Sequence, residues 1–320
     1  MNVEITVLVT AIGSFSSSAV VPILKSNGFR VIGCDVYPRE WVASSCEVDV
    51  FYQVPLASLG LDYIAAIKSI VDSEGVDLIV PLTDFEVDVL SPARKDLGAK
   101  LCVSNEKSVL CCRDKTETSK VVEGLYPDLV IPTFSASDFI ADDLLSNGKW
   151  ICKPINGRSS AGLFKAEDRR SALAYLETVE FNELIVQPMI DGFVVTVDVV
   201  RSPLTGRVVA LPRKELLRTL NGAGTSVYVY RDEELEKRCA GIANALSISG
   251  CVNFEFIYDN NGSYHFLECN PRFAGGVSFS CNYGYDFVIN HIKCFMGEDI
   301  DSLMRKDGQY IARRYCDYLM

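Results

Sequence analysis

Two strand-like runs on either side of the sequence Asp259-Asn-Asn-Gly262 carry the side chains best suited to chemistry. A turn of this composition predicts a β-hairpin. Side chains alternate between the two faces of a strand, so Asn253 and Glu255 share one face of the first run. On the second run the same alternation groups three residues on one face: Phe266, Glu268 and Asn270. Antiparallel pairing then predicts that Glu255 lies beside Glu268 and Asn270.

Two carboxylates and an amide oxygen, with no His or Cys among them, form a set of hard oxygen donors that suits Mg²⁺ or Mn²⁺. Paired acids on an inward face repel each other unless a cation neutralises them. A solvated edge face with no metal is the alternative interpretation. After Asn270, Pro271 fixes the backbone and Arg272 supplies a permanent cation, which could stabilise charge on a transferred phosphoryl group.

Upstream, two segments have the composition of a nucleotide site. Lys153 ends a predicted strand at 150–154, and the small residues that follow would let backbone N–H groups approach phosphate. The phosphate-binding candidates in this loop are Gly157, Ser159, Ser160 and Gly162. The loop lacks the Gly-Lys-Ser/Thr of a Walker A motif, and an ordinary hairpin is its alternative. The apolar run 184–190 could form an adenine wall through Gln187, Pro188, Met189 and Ile190, or simply belong to the core.

The elements that must position these residues differ between the two parts of the chain. Over the first hundred residues, predicted strands at 4–10, 30–35, 77–81 and 99–103 alternate with helices at 17–25 and 61–71. This order predicts a doubly wound parallel sheet with helices on both faces. Beyond residue 113 the pattern is α+β, with more antiparallel pairing.

A dinucleotide-binding domain is a competing interpretation of the first part. Asp35 lies about twenty residues beyond the loop at Gly13, where a ribose-binding acid would stand. That loop, 11–18, contains one glycine where the dinucleotide fingerprint needs three. A doubly wound domain without NAD is therefore favoured over an NAD-dependent reductase.

Taken together, these segments resemble the ATP-grasp superfamily, in the branch similar to carbamoyl-phosphate synthetase large-subunit halves and the pyrrolysine-pathway ligase. The most specific stretch is Glu268-Cys-Asn-Pro-Arg-Phe-Ala-Gly-Gly276, and the resemblance covers nearly the whole chain. It implies a doubly wound pre-ATP-grasp domain at 1–110, followed by an ATP-grasp fold of two α+β lobes. The small lobe would span 111–187, and the large lobe with the metal site 188–320.

The resemblance also implies a set of site residues for ATP and Mg²⁺. Lys115, in the entry motif Asp114-Lys115, and Lys153 would contact the phosphates, with Arg272 as the catalytic arginine. Residues 157–162 would form the flap, 187–190 would hold adenine, and Glu255, Glu268 and Asn270 would bind the metal. The implied activity is a carboxylate–amine ligase of the EC 6.3 type that works through an acyl-phosphate.

One departure concerns the ATP ribose, which the family binds with an acid shortly after the adenine-binding hinge, residues 187–190 here. Apolar residues occupy that place here, so Asp191 or Asp198 would have to substitute. This departure keeps open a catalytically silent ATP-binding regulatory or scaffold protein. Substrate candidates lie where the domains should meet: Asp84 and Glu86 for an amino group, and Arg213 and Lys214 for a carboxylate.

The composition of the chain limits the classes of partner that we expect. A net charge of −11 and a pI near 4.8 argue against nucleic acid and against an anionic membrane. No apolar run reaches the roughly 20 residues of a membrane span, and the N-terminus predicts a strand rather than a signal peptide. The twelve scattered cysteines predict reduced thiols and a cytoplasmic location. Small-molecule substrates are the expected partners, with a homodimer as a further possibility.

Overall fold

The computed structural model describes residues 5–142, 144–156, 162–179, 183–219, 222–304 and 306–320. Three sheets come from successive parts of the chain. All twelve cysteines lie in the described part, and none forms a disulfide. No helix within these ranges is long and apolar enough to cross a bilayer.

The first sheet is parallel, with the strand order β3-β2-β1-β4-β5. Its strands are β1 Thr6–Val9, β2 Arg30–Asp35, β3 Val50–Gln53, β4 Leu78–Val80 and β5 Lys100–Leu101. The accompanying helices are α1 Ser17–Ser26, α2 Leu61–Glu74, α3 Asp84–Ala93 and α4 Glu106–Arg113. This arrangement confirms the predicted doubly wound domain.

Sequence reasoning missed three of these elements, β3, α3 and α4. The edge strand β3 is half-buried, and its four residues show no clear alternation. The helix α3 contains Pro92, which obscures its pattern, and it starts with a capping box in which Thr83 and Glu86 satisfy each other's backbone N–H groups. Asp84 and Glu86 are therefore first-turn residues of the helix that follows β4.

The second sheet is antiparallel, with the order β6-β9-β7-β8. Its strands are β6 Phe134–Ser135, β7 Trp150–Pro154, β8 Phe164–Ala166 and β9 Leu184–Pro188. The helices of this part are α5 Lys115–Leu125, α6 Ala136–Ala141 and α7 Arg169–Leu176. A separate small core around Phe139, Trp150 and Val186 holds the sheet together.

The third sheet has six strands in the order β14-β13-β10-β11-β12-β15, all antiparallel. Its strands are β10 Gly192–Arg201, β11 Val208–Arg218, β12 Gly224–Val229, β13 Gly250–Asp259, β14 Tyr264–Asn270 and β15 Gln309–Ala312. The helices are α8 Glu233–Ala245, α9 Val277–Tyr283 and α10 Phe287–Met296. One apolar cluster joins this sheet to the first, since Val9 and Val20 belong to the same core as Leu211 and Phe287. The boundaries at 110/111 and 187/188 stay predictions.

The predicted hairpin is β13–β14, but one detail of its alternation is wrong. A β-bulge falls between the pairs Glu255–Glu268 and Phe256–Phe266, so Leu267 is left without a cross-strand partner. Phe266 therefore turns into the core with Phe254 and Phe256, at ring distances of 5.9 and 5.4 Å. Leu267, Glu268 and Asn270 face the opposite side. The bulge separates Phe266 from the two polar residues.

This arrangement predicts different effects for two neighbouring substitutions. Phe266→Ala should lower the free energy of unfolding by about 3–5 kcal/mol, because it empties a packed aromatic site. Leu267→Ala, on the cavity side, should cost about 1 kcal/mol or less. Urea denaturation of both variants measures this. Equal costs, or a greater cost at Leu267, would contradict the bulged register.

Candidate active site

A cavity of about 740 Å³ lies where the three sheets meet. Its wall includes twelve residues predicted as site residues: Asp84, Lys115, Lys153, Gln187, Pro188, Met189, Ile190, Arg213, Glu255, Glu268, Asn270 and Arg272. The loop Gly13–Ser16 and the segment 273–276 complete it. Residues distant in sequence therefore converge on one space, with strands supplying most of the polar groups.

Part of the predicted flap falls outside the described residues, namely Gly157, Ser159 and Ser160. Gly162, the last flap residue, has a φ of +73°, and a Cβ there would lie 3.0 Å from Pro154 Cγ. Both the left-handed backbone and the close approach suit glycine at this position. Gly162 is not on the cavity wall.

The paired acids lie side by side because the hairpin register places them there. Glu255 is opposite Glu268, and Asn253 is opposite Asn270. Burial and the neighbouring Glu268 raise the pKa of Glu255 above its ordinary value. Each acid also contacts a cation: Lys115 Nζ lies 3.2 Å from Glu268 Oε2, and Arg218 Nη2 lies 3.3 Å from Glu255 Oε2.

These residues fit a divalent cation by their chemistry. The Asn270 amide nitrogen donates to Asn253 Oδ1 at 3.2 Å and to Glu268 Oε1 at 3.3 Å, which leaves its amide oxygen for a cation. Two carboxylates and that oxygen make a hard donor set. The described ranges contain no group of three or more His, Cys, Asp and Glu placed to hold a metal, so the set depends on the amide.

Two lysines lie near the paired acids, one on a helix and one on a strand of the four-stranded sheet. Lys115 is the first residue of α5, directly after the N-cap Asp114, whose side chain accepts from the backbone of Thr116 and Glu117. Lys153 is the fourth residue of β7. Burial and the nearby charge of Lys115 lower the pKa of Lys153 to about 8. An anion bound near Lys153 would therefore favour its protonated form.

This lowered pKa predicts pH-dependent nucleotide binding. The free protein loses the Lys153 proton as pH rises through about 8, whereas bound phosphate favours the protonated form. The dissociation constant of MgATP should therefore increase from about pH 7 to about pH 9, approaching tenfold per unit at the upper end. Calorimetry at several pH values measures this.

The control for the pH dependence is Lys153→Met, which removes the titrating group. This variant should bind MgATP more weakly at neutral pH and should lose most of the increase with pH. The same steep increase in both proteins would assign the titration to another group.

Arg272 connects the six-stranded sheet to the first domain. Its Nη2 lies 2.8 Å from Asp84 Oδ2, and Arg113 Nη1 lies 3.5 Å from Asp84 Oδ1. Asp84 thus contacts two guanidinium groups, which does not fit the predicted role of binding a substrate ammonium. Glu86 is not on the cavity wall; it caps α3 and accepts from Tyr63 Oη at 3.0 Å.

Arg213 and Lys214, the candidates for binding a substrate carboxylate, also contact other side chains of the chain. Arg213 is fully buried, bonded to Asp198 and to Glu215 Oε1, the latter at 3.1 Å. Lys214 projects from the opposite face of β11, with its Nζ 3.3 Å from the centroid of the Phe193 ring. Of this pair, only Arg213 reaches the cavity.

Neither acid suggested for the ribose reaches the cavity wall. Asp191 is exposed, and Asp198 is fully buried beneath Arg213, where it also accepts from Ser280 Oγ at 2.6 Å. Asp35 is likewise engaged, since its two oxygens accept from the backbone N–H groups of Gly13 and Tyr37 at 2.7 and 3.1 Å. Asp35 is thus a buried acid that holds the loop at Gly13.

Sequence reasoning missed Arg218 and Glu215, both on the cavity side of β11. Alternation from Arg213 would have indicated Glu215. It would have placed Arg218 on the other face, but register shifts between Glu215, Leu217 and Arg218 return Arg218 to the cavity. Lys165, on β8, is a third charged cavity residue that the sequence did not single out.

Comparison with known proteins gives consistent matches. Residues 180–314 match the family model described as ATP-grasp in the biosynthetic pathway with Ter operon. The chain is 25% identical over 264 residues to a D-alanine–D-alanine ligase from Francisella tularensis, covering 80% of this chain and 81% of that protein.

Solved structures show the same fold. The biotin carboxylase domain dimer of Hydrogenobacter thermophilus 2-oxoglutarate carboxylase, in complex with MgADP and bicarbonate, superposes with a TM-score of 0.76 at 16% identity, covering 92% of this chain and 70% of that one. The L-amino acid ligase of Bacillus licheniformis gives a TM-score of 0.70 at 15% identity, covering 91% and 73%.

Proposed function

We propose that this chain, which belongs to the ATP-grasp superfamily of ATP-dependent ligases, joins a small carboxylate to a small amine at the cavity between its sheets. The observation that carries the proposal is the convergence of Lys115, Lys153 and Arg272 on the Glu255–Glu268 pair. Such a constellation can neutralise a transferring phosphoryl group.

The nucleotide would lie between the hinge and the paired acids. Residues 187–190 would hold adenine, and Lys115 and Lys153, which lie near the acids, would contact the phosphates. Glu255, Glu268 and Asn270 would hold Mg²⁺, which supplies charge neutralisation between the phosphate groups when bound. Lys153, with its lowered pKa, would regain its proton beside the phosphates.

The first chemical step would be attack of the substrate carboxylate on the γ-phosphorus of ATP. The bond between the γ-phosphorus and its bridging oxygen breaks, ADP leaves, and an acyl-phosphate forms. Arg272, fixed by Asp84, stabilises the charge that develops on the transferring oxygens. In the second step the amine nitrogen attacks the acyl carbon, and phosphate leaves as the amide forms.

ADP release measured with panels of carboxylates and amines tests the proposal. A ligase should release ADP only when a suitable acid is present, and hydroxylamine should trap the activated acid as a hydroxamate. MgATP binding by calorimetry with no acid-dependent ADP from any panel would instead support a catalytically silent nucleotide-binding protein.

The proposed partners are small molecules, together with a second copy of the chain. The homodimer is supported by the dimeric biotin carboxylase domain to which the fold is similar. Sedimentation equilibrium tests it, and a mass of one chain at micromolar concentration would contradict it.

A further inference from the structure

Glu215 is a buried cavity carboxylate to which the proposed mechanism assigns no role. It lies on β11 and its side chain is only 3% exposed. One oxygen, Oε1, accepts from Thr196 Oγ1 at 2.9 Å and from Arg213 Nε at 3.1 Å. The other, Oε2, is buried and has no hydrogen-bond partner in the part of the chain that the structure describes.

The position of Glu215 separates it from the paired acids. Glu268, Glu255, Thr196 and Arg213 form a row across four neighbouring strands. Glu215 follows Arg213 by two residues and faces the same side, so its Cα lies two strands across the sheet and two residues along the strand from that of Glu255, at about 12 Å. The segment that follows Arg272 packs against the Arg213 end of the row. A Cβ on Gly276 would lie 3.1 Å from Arg213 Nη2.

The backbone around Glu215 leaves room for its free oxygen. A Cβ on Gly224 would lie 2.2 Å from Glu215 Oε2, so no other residue fits there without moving the carboxylate. Gly224 and Gly276 both line the cavity. Two glycines therefore keep this end of the cavity open beside an unsatisfied carboxylate oxygen.

The local charge favours a cationic ligand. Arg213 is one cation between two acids, since it is bonded both to Asp198 and to Glu215. Asp198 Oδ2 also accepts from Ser280, whereas Asp198 Oδ1 and Glu215 Oε2 are both buried without a hydrogen-bond partner among the described residues. Of these two acids, only Glu215 lines the cavity. The other cavity guanidinium groups contact acids of their own, Arg272 with Asp84 and Arg218 with Glu255. Arg313 lies behind the wall, bonded to the Gly275 carbonyl and to Ser278.

A buried carboxylate oxygen without a donor is costly unless a ligand completes it. We infer that Glu215 binds the amine substrate as a primary ammonium group, such as that of an α-amino acid, and takes its proton. This inference rests on the proposed ligase function. The ammonium nitrogen gives one proton to Oε2 and its lone pair attacks the acyl carbon. The N–C bond forms, the bond from carbon to the phosphate oxygen breaks, and the departing phosphate takes the second proton.

Hydroxylamine allows phosphoryl transfer to be measured separately from the binding and deprotonation of the amine by Glu215. It attacks acyl-phosphates but is largely uncharged at neutral pH, so it needs no carboxylate to bind it or to remove a proton beforehand. The twenty proteinogenic amino acids, each tested as acid with MgATP and hydroxylamine, identify an acid that forms a hydroxamate. The same twenty, tested as amines with that acid, identify an amine.

Glu215→Gln keeps the shape of the side chain and an acceptor for Thr196. With this variant, kcat/KM for the amino-acid amine should fall about 10- to 100-fold, the range expected for a lost charged hydrogen bond. Hydroxamate formation should stay within about twofold of the unsubstituted protein. Glu123→Gln, an exposed position on α5, serves as the control and should change neither reaction.

A parallel fall in both reactions would overturn the inference, because it would place Glu215 in the phosphoryl step or in the fold. Unchanged use of the amine would overturn it as well. Failure of the unsubstituted protein to form a hydroxamate with any acid is a different result, since it would remove the proposed function itself.

Discussion

Glu268→Gln is expected to lower acid-dependent ADP release by about 1,000-fold, equivalent to several kcal/mol of lost charge stabilisation. Glu268 lies opposite Glu255 on the hairpin, and both face the cavity. Gln keeps the shape of the side chain but removes one of the two charged donors for Mg²⁺. Steady-state assays with a coupled ADP readout measure the loss.

Folding should respond differently from activity. Removing one of two neighbouring carboxylates relieves their repulsion, but it also weakens the ion pair with Lys115, so the thermal midpoint should change by only a few degrees. Glu236→Gln, which breaks an ion pair with Arg231 away from the cavity, is the matched control and should retain activity. If Glu268→Gln retained near-normal turnover, the assignment of the metal to this hairpin would be wrong.

Arg272→Lys is expected to lower kcat by about 1,000-fold with a smaller effect on the KM for ATP. The guanidinium lines the cavity and is held by Asp84 at 2.8 Å and by the Phe273 carbonyl at 3.0 Å, which fixes its orientation. Lysine keeps the charge but loses the planar set of donors that can contact two phosphoryl oxygens at once. Single-turnover measurements would show whether the loss falls on ADP formation.

The fold should tolerate this change because Asp84 keeps a second cation, Arg113. Arg238→Lys provides the comparison, since Arg238 forms ion pairs with Asp128 and Glu234 far from the cavity. It should leave kcat unchanged. A similar kcat for Arg272→Lys and Arg238→Lys would remove Arg272 from the chemistry.

Local sequence rules predicted the hairpin because its turn and its alternation are local properties. The turn Asp259–Gly262 closes with a backbone hydrogen bond of 3.2 Å, and the register places Glu255 opposite Glu268. The first sheet was predictable for a similar reason, since strands and helices alternate there with clear periods. The long-range convergence of Lys115 and Lys153 on that hairpin came from the family resemblance.

Features that depend on irregular pairing or on distant partners could not be predicted. The bulge at Leu267 turns Phe266 inward, and register shifts in β11 bring Arg218 to Glu255. A single extra residue reverses the face of every residue beyond it, and no local composition marks it. The engagement of Asp84 by Arg272, 188 residues away, is likewise visible only in the folded chain.

In the proposed mechanism the carboxylate attacks the γ-phosphorus and becomes an acyl-phosphate. An acid substrate labelled with ¹⁸O in its carboxylate, allowed to react with MgATP and amine, tests this step directly. We expect one ¹⁸O atom in each released phosphate, because the bridging oxygen of the acyl-phosphate leaves with phosphorus. Phosphate without ¹⁸O, released together with amide, would contradict it.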